Sequence, residues 1–267
     1  MLSEIKKLFI INAIIFRNAY IRDSKIGGFI FFSVISQLVD ILTSILFFNI
    51  IFANIQEVGG WNFHQVLFLY AFIMSIQILH GAWLKKGINS MSNELIRLGD
   101  MDFFLTKPVN PMILISISKP RMYSFIAFAF DIGLMIYAAV TGHFQLAFIK
   151  IVWFLVLAVF SFILYYLLSV LTVIPAFWFT RLWSLSNLMN RLAQFARYPA
   201  GMFPRVIRIA FFTLFPILVV SYLPVKTLFF KPVFSDIIYL IAVTVLFGFL
   251  TNWLWKLGTQ KYGSASS

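Results

Sequence analysis

The sequence predicts an all-α, polytopic membrane protein: one bundle with six spanning helices. Three observations lead there. Apolar residues run on, at several places and without the alternation of a barrel strand, for the about 20 positions a helix needs to cross a bilayer. Charged residues make up 11% of the chain, against roughly 25% in a soluble domain, too few to clothe 267 residues in a water-facing surface. Lys and Arg gather at the ends of the apolar runs. Helices are expected because hydrocarbon offers the backbone no partners, so its N–H and C=O groups must pair within the segment.

The elements follow in order. Residues 1–25 are amphipathic. Leu2, Ile5, Leu8 and Phe9 share a face, and Lys6, Lys7, Arg17, Arg22 and Lys25 decorate the rest, as in a helix lying in the headgroup plane. Lys6, Lys7 and Arg17 interrupt this stretch and no small-residue cleavage site closes it, so no cleaved signal is expected. Gly27–Gly28 breaks the helix, and the first span is expected over 29–53. The second, 63–84, stops at Lys85–Lys86. Residues 86–111 form the longest polar stretch and end in Pro108 and Pro111. The third span is expected over 112–140, starting at Met112 or as late as Tyr123, with Lys119 and Arg121 at its entrance. The fourth, 148–174, ends at Pro175.

Residues 177–198 carry Arg181, Asn187, Asn190, Arg191, Gln194 and Arg197, too polar for lipid all round yet long enough to cross; they are read as the fifth span. Five prolines break 199–232, which reads as a pair of helices that dip in and return on the far side. The opposing reading makes Ile209–Tyr222 the fifth span and Phe177–Tyr198 a surface helix. The last span is expected over 233–256, before a small polar tail. The amino end, the Lys85–Arg121 region and the carboxyl end are all basic, and an even number of spans puts them together on the cytoplasmic side.

The net charge of +12 would suggest nucleic acid in a soluble protein. Here the cations sit where they set topology and meet anionic headgroups, so membrane lipids are expected partners and nucleic acid is not. The absence of Cys excludes disulfides, thiolate metal sites and cysteine catalysis.

Asp40, with Gln37 about one turn before it, falls near the middle of the first span, Asp131 near the middle of the third, and Arg191 within the fifth. Each ionisable group at that depth costs at least about 2.5–3.5 kcal/mol, so these side chains should face the interior and pair. Asp40 or Asp131 is therefore expected to neutralise Arg191 beside a translocation path, with a purely structural interhelix contact as the alternative. Asn187, Asn190, Arg191 and Gln194 recur at helical spacing, and their shared face reads as cavity lining or as a helix end near the headgroups. In 86–111, Leu95, Leu98 and Phe104 are placed to form a knob for a groove on a soluble partner.

No G-x-x-x-x-G-K-[ST], H-E-x-x-H or G-x-S-x-G occurs, so neither P-loop nucleotide binding nor those hydrolase chemistries are expected. His64, His80 and His143 are scattered near span ends and read as interfacial. A lipid-modifying membrane enzyme would need a catalytic cluster at one face, and the only close carboxylate pair, Asp100 and Asp102, has no His near it in sequence. An ATP-independent channel or secondary transporter would often show internal repeats, and none is seen.

Arg97-Leu98-Gly99-Asp100-Met101-Asp102-Phe103-Phe104-Leu105-Thr106-Lys107-Pro108-Val109-Asn110-Pro111 resembles the cytoplasmic segment "R-x-G-x-x-D-x-x-L-x-K-P-x-x-P" of a group of ABC-2-type permeases. Trp255-Lys256-Leu257-Gly258 with Tyr262-Gly263-Ser264-Ala265-Ser266, Tyr198-Pro199, and the Phe215-Pro216 to Tyr222-Leu223-Pro224 pattern are similar to the same group in order and spacing. The resemblance implies an amino-terminal connecting helix, a coupling helix between spans two and three, and re-entrant helices before span six. It implies a bacterial cytoplasmic membrane and a non-catalytic subunit that works with a second permease, different or identical, on two copies of a separate ATPase. ATP and Mg would sit on that ATPase, with no cofactor on this chain. It implies export of a hydrophobic, amphipathic or cationic substrate by alternating access. Glu94, Arg97, Asp100, Asp102, Phe103 and Phe104 would couple to the ATPase, and Gln37, Asp40, Asp131, Asn187, Asn190, Arg191 and Gln194 would line the path.

Overall fold

The computed structural model describes residues 2–24, 27–144, 146–179, 183–231 and 233–262. Among them the protein is helical throughout, with one isolated antiparallel bridge, Val58 to Trp61, in a loop. The long helices are α1 (Leu2–Ser24), α2 (Gly27–Phe52), α3 (Phe63–Trp83), α8 (Ser124–Thr141), α9 (Phe148–Val173) and α13 (Phe234–Lys261). Between α3 and α8 lie α4 (Lys85–Ser90), a π-helical turn at Met91–Leu95, α5 (Ile96–Leu98), α6 (Asp102–Leu105) and α7 (Pro111–Ile117). After α9 come a 3₁₀ turn at Ile174–Phe177, α10 (Trp183–Phe195), a second 3₁₀ turn at Ala200–Met202, α11 (Arg205–Thr213) and α12 (Ile217–Phe229). Helices α2, α3, α8, α9 and α13 are each long and apolar enough to cross a membrane.

Helix α3 is the axis of the bundle, wrapped by α2, α8, α9 and α12 and buried along most of its length. Its start is fixed by a capping box. Asn62 Oδ1 accepts from the Gln65 N–H at 3.0 Å and Gln65 Oε1 accepts from the Asn62 N–H at 3.0 Å, so two otherwise orphaned donors are satisfied. The main core surrounds it, with Leu67, Leu69, Ile73, Leu157, Leu164 and Ile217 wholly enclosed. Helix α2, by contrast, leaves Phe31, Phe32, Leu42, Leu46 and Ile50 exposed, the pattern of a helix that faces lipid or another subunit.

The bundle has two distinct ends. At one, here the far end, Trp61 packs on Tyr222 and Phe230, and Phe144 on Phe229. Gly59 and Gly201 meet there backbone to backbone; a Cβ on Gly59, whose φ is +60°, would stand 3.1 Å from the Gly201 Cα. The basic end gathers residues 84–121, the 3₁₀ turn after α9 and the end of α13 around a second core of Ile88, Met91, Met101, Ile115, Val173 and Ile174. Phe177 closes it edge-on to Trp255 at 5.5 Å.

These contacts trace the awkward stretch after α9. Phe177 lies at the basic end and Gly201 at the far end, so the chain between them traverses the bundle, with α10 as its helical part. The span expected over 177–198 is shorter as a helix than the sequence suggested: the 13 residues of α10 rise only about 20 Å at 1.5 Å each. Helices α11 and α12 meet at a 95° bend. The chain enters this pair beside Gly201 and leaves it at Phe229–Phe230 against Phe144 and Trp61, so it enters and leaves at the far end, as a re-entrant pair does. Pro216 at the break lies inside Ile209–Tyr222, which therefore is not one continuous helix.

Of the two starts expected for the third span, Met112 and Tyr123, the helix follows the later, so 112–140 is not one helix. It is two helices, α7 and α8, separated at 118–123. Pro120 lacks the N–H a helix would need there, and the Arg121 N–H donates instead to the Ala82 carbonyl at the end of α3, 2.6 Å away. Helix α7 owes its apolar residues to burial against α4 and the second core.

Candidate functional site

Two places gather residues with functional potential. The first is the basic end, where a charged, bulky surface is mounted on a rigid base. Helix α4 lies directly against α7: at Gly87 a Cβ would run into the main-chain carbonyls of Ile115 and Ser116, so only glycine allows the approach. Helix α7 starts at Pro111, with Asn110 Oδ1 accepting from the Ile113 N–H at 3.3 Å. Met101 is wholly buried beneath, and Phe104 is half-buried against the same core. The Lys119 ammonium and Glu94 carboxylate form an ion pair between the segment and the approach to α8. Burial, then the Asp102 carboxylate, pushes the Tyr262 phenol above its usual pKa, which marks the end of α13 as lying beside this segment.

What this base presents outward is Leu98, Asp100, Phe103 and Leu105. Phe103 is 63% exposed, and the Lys107 ammonium stands over its ring 4.2 Å from the centroid. The knob expected from Leu95, Leu98 and Phe104 is thus redistributed: Leu95 is buried and Phe104 half-buried, while Leu98 and Phe103 protrude. Helical spacing across the π-turn and the Gly99 turn was not regular enough to reveal which apolar residues point out. Glu94 and Asp100 are exposed, and Asp102 is half-buried in the first turn of α6. The Arg97 side chain lies outside the described residues.

The second place is mid-bundle. Asp131 on α8 is wholly buried; its Oδ1 accepts from the Gln37 Nε2 of α2 at 2.5 Å, and its Oδ2 has no hydrogen-bond partner. The expected pairing of Asp40 or Asp131 with Arg191 is corrected. Asp40 and Arg191 are both exposed, as is Gln194, while Asn190 is half-buried and the Asn187 side chain lies outside the described residues. A 13-residue helix packed on α9 turns Arg191 and Gln194 outward, away from the chain's own interior. Arg197, half-buried just after α10, brings its guanidinium to 5.9 Å from the Tyr70 ring centroid of α3. Arg197 continues the stripe three residues after Gln194, the one signal that could have singled it out.

Gln77, on α3, donates to the Ala193 carbonyl of α10 at 3.0 Å, a tie that hydropathy hides. His80 is buried edge-on to Tyr165 at 5.0 Å instead of being interfacial. At the far end Lys226 pairs with Asp236 at 2.6 Å, locking the end of α12 to the start of α13.

In chemical terms the basic end offers an apolar and acidic contact surface on a stiff mount, and the mid-bundle offers exposed polar groups on α2 and α10. A family model described as ABC-2 family transporter protein matches residues 38–266. Comparison with curated proteins and with solved structures returns no match.

Proposed function

The chain belongs to the ABC-2 family of transporter membrane proteins, and from that premise we propose that it is the permease subunit of an exporter driven by a separate ATPase. The observation that carries the proposal is the exposed Leu98–Asp100–Phe103–Leu105 surface, fastened through α4, α7 and Met101 to the ends of α3, α9 and α13. A push on that surface is transmitted to the helices, because the Gly87 contact and the second core leave no soft layer between. Two ATPase copies, holding ATP and Mg, would close on nucleotide and rock two permeases between inward- and outward-open states. The basic end would face the cytoplasm, following the cation bias, in a bacterial inner membrane.

A second permease, different or identical, would cover the outward faces of α2 and α10. Asp40 and Arg191, with the polar Gln194, are exposed on the isolated chain, and ionisable groups facing hydrocarbon at that depth are costly. A partner subunit and a water-filled path between the two would accommodate them. Such a path would take a hydrophobic or amphipathic substrate, or a cationic one drawn by Asp40. The chain itself supplies a cavity and a mechanical joint, with no covalent step.

Charge reversal tests the joint. Asp100→Lys with Phe103→Ala should leave the fold intact and abolish substrate-stimulated ATPase activity in the reconstituted complex; undiminished stimulation would rule out this surface as the coupling element.

A further inference from the structure

A groove runs between α1 and the coupling segment. Its walls are Ile10, Ile11 and Ile15 on one side and Phe104, Val109 and Leu114 on the other, and it encloses about 510 Å³. That volume is in the range of small-molecule pockets, and the lining is almost wholly apolar. The Ser118 hydroxyl in the lining is already committed to the Ile115 carbonyl at 2.7 Å. Among the described side chains the charged groups on it are Lys7 and Lys107, one from each wall, and no carboxylate is among them. Lys107 is held by its stack on the Phe103 ring.

The groove is built, and its depth is set by its neighbours. Helix α1 is pinned where Asn12 accepts from the Trp83 indole N–H at 3.2 Å, where Arg22 donates to the Pro120 carbonyl at 2.7 Å, and where Asp23 accepts from the Met122 N–H at 2.8 Å. Trp83 is the last residue of α3, so α1 lies at the level where an apolar span ends and an interfacial indole belongs. An apolar slot at that depth with a cation on each wall matches a molecule with a hydrocarbon chain and an anionic head.

We propose that this groove is a binding site for an anionic phospholipid of the adjacent leaflet, with one acyl chain between α1 and α7 and the phosphate between Lys7 and Lys107. Lipid there joins α1 to the Pro108–Val109 stretch and so becomes part of the coupling base. A zwitterionic lipid offers the same chains without the net charge and binds less well. The site stands on the groove's own geometry and does not depend on the export reading.

The test is native mass spectrometry of the purified full chain in detergent, titrated with palmitoyl-oleoyl phosphatidylglycerol or the matching phosphatidylcholine. Wild type should retain one phosphatidylglycerol more tightly than phosphatidylcholine. Lys7→Gln with Lys107→Gln should weaken that binding on the order of tenfold, and Ile11→Trp, which fills the slot, should remove it while the lysines remain. Glycerol phosphate, a head without chains, should not compete. Equal retention of both lipids, indifference to either variant, or full competition by glycerol phosphate would each overturn the proposal. The last outcome would mean a simple anion site, and indifference of the Ile11→Trp variant would mean that the lipid binds elsewhere on the chain.

Discussion

Replacing Gln37 by Leu takes from Asp131 the one hydrogen bond it makes among the described residues. The carboxyl is wholly buried and Oδ2 already lacks a partner, so the variant leaves both oxygens unserved. An orphaned buried polar group costs about 1–3 kcal/mol. Interhelical hydrogen bonds inside membranes average about 0.6 and reach about 1.7 kcal/mol, because the unfolded state in lipid finds partners too. The loss in Gln37→Leu is therefore expected near the low end, about 1–2 kcal/mol. The double variant Gln37→Leu with Asp131→Leu removes both polar partners at once, and apolar replacement of a buried pair is close to neutral. The expected signature is non-additive: the double variant is more stable than the sum of the single losses by about 0.6–1.7 kcal/mol. Thermal unfolding in bicelles reads it as a shift of about 2–4 °C per kcal/mol. Additive losses, or a Gln37→Leu variant as stable as wild type, would refute the claim that α2 and α8 are joined through this pair.

The remaining expectations concern other joints. Gly87→Ala should push α4 off α7, since its Cβ meets two main-chain carbonyls; overpacking of this kind costs about 1–3 kcal/mol, visible as a lower unfolding temperature and weaker ATPase coupling. Asn62→Ala removes the capping oxygen from α3 and should cost about 0.5–2 kcal/mol, measured by the same unfolding assay, with Asn62→Ser retaining most of the stability. Tyr239→Phe breaks the 2.7 Å hydrogen bond from the α13 hydroxyl to the Phe212 carbonyl of α11. It should cost about 0.5–1.5 kcal/mol and speed hydrogen exchange in α11 while leaving the core of α3 protected.

How much of this was legible in the sequence depends on what kind of force holds each element. Helices α2, α3, α8, α9 and α13 are long apolar runs, and lipid selects them by a property that composition displays directly. Helix α7 escaped because hydropathy cannot tell an apolar helix buried in protein from one that crosses; only Pro120 and the flanking cations hinted at the break. The region 177–232 yielded its logic but not its boundaries, since α10, α11 and α12 are short pieces positioned by contacts such as Gly59 with Gly201 and Trp61 with Phe230. Asp131 was recognisable as an interior group from the energetic penalty alone. Its partner was not, because which residue of α2 faces α8 depends on helix rotation. The exposed surface of the basic end was located in the right segment, while its outward residues, Leu98 and Phe103 in place of Leu95 and Phe104, depend on a π-turn and on the left-handed Gly99 at φ +82°.

The central claim is that this chain moves a substrate through the membrane with energy taken from another polypeptide. Detergent extraction of the tagged chain, expressed together with an ABC-type P-loop ATPase of the same organism, tests that most directly. The expected result is a stable complex whose nucleotide hydrolysis resides in the ATPase and whose assembly is lost in the Asp100→Lys, Phe103→Ala variant. A chain that purifies alone in the presence of that ATPase, or that hydrolyses ATP unaided, would contradict it.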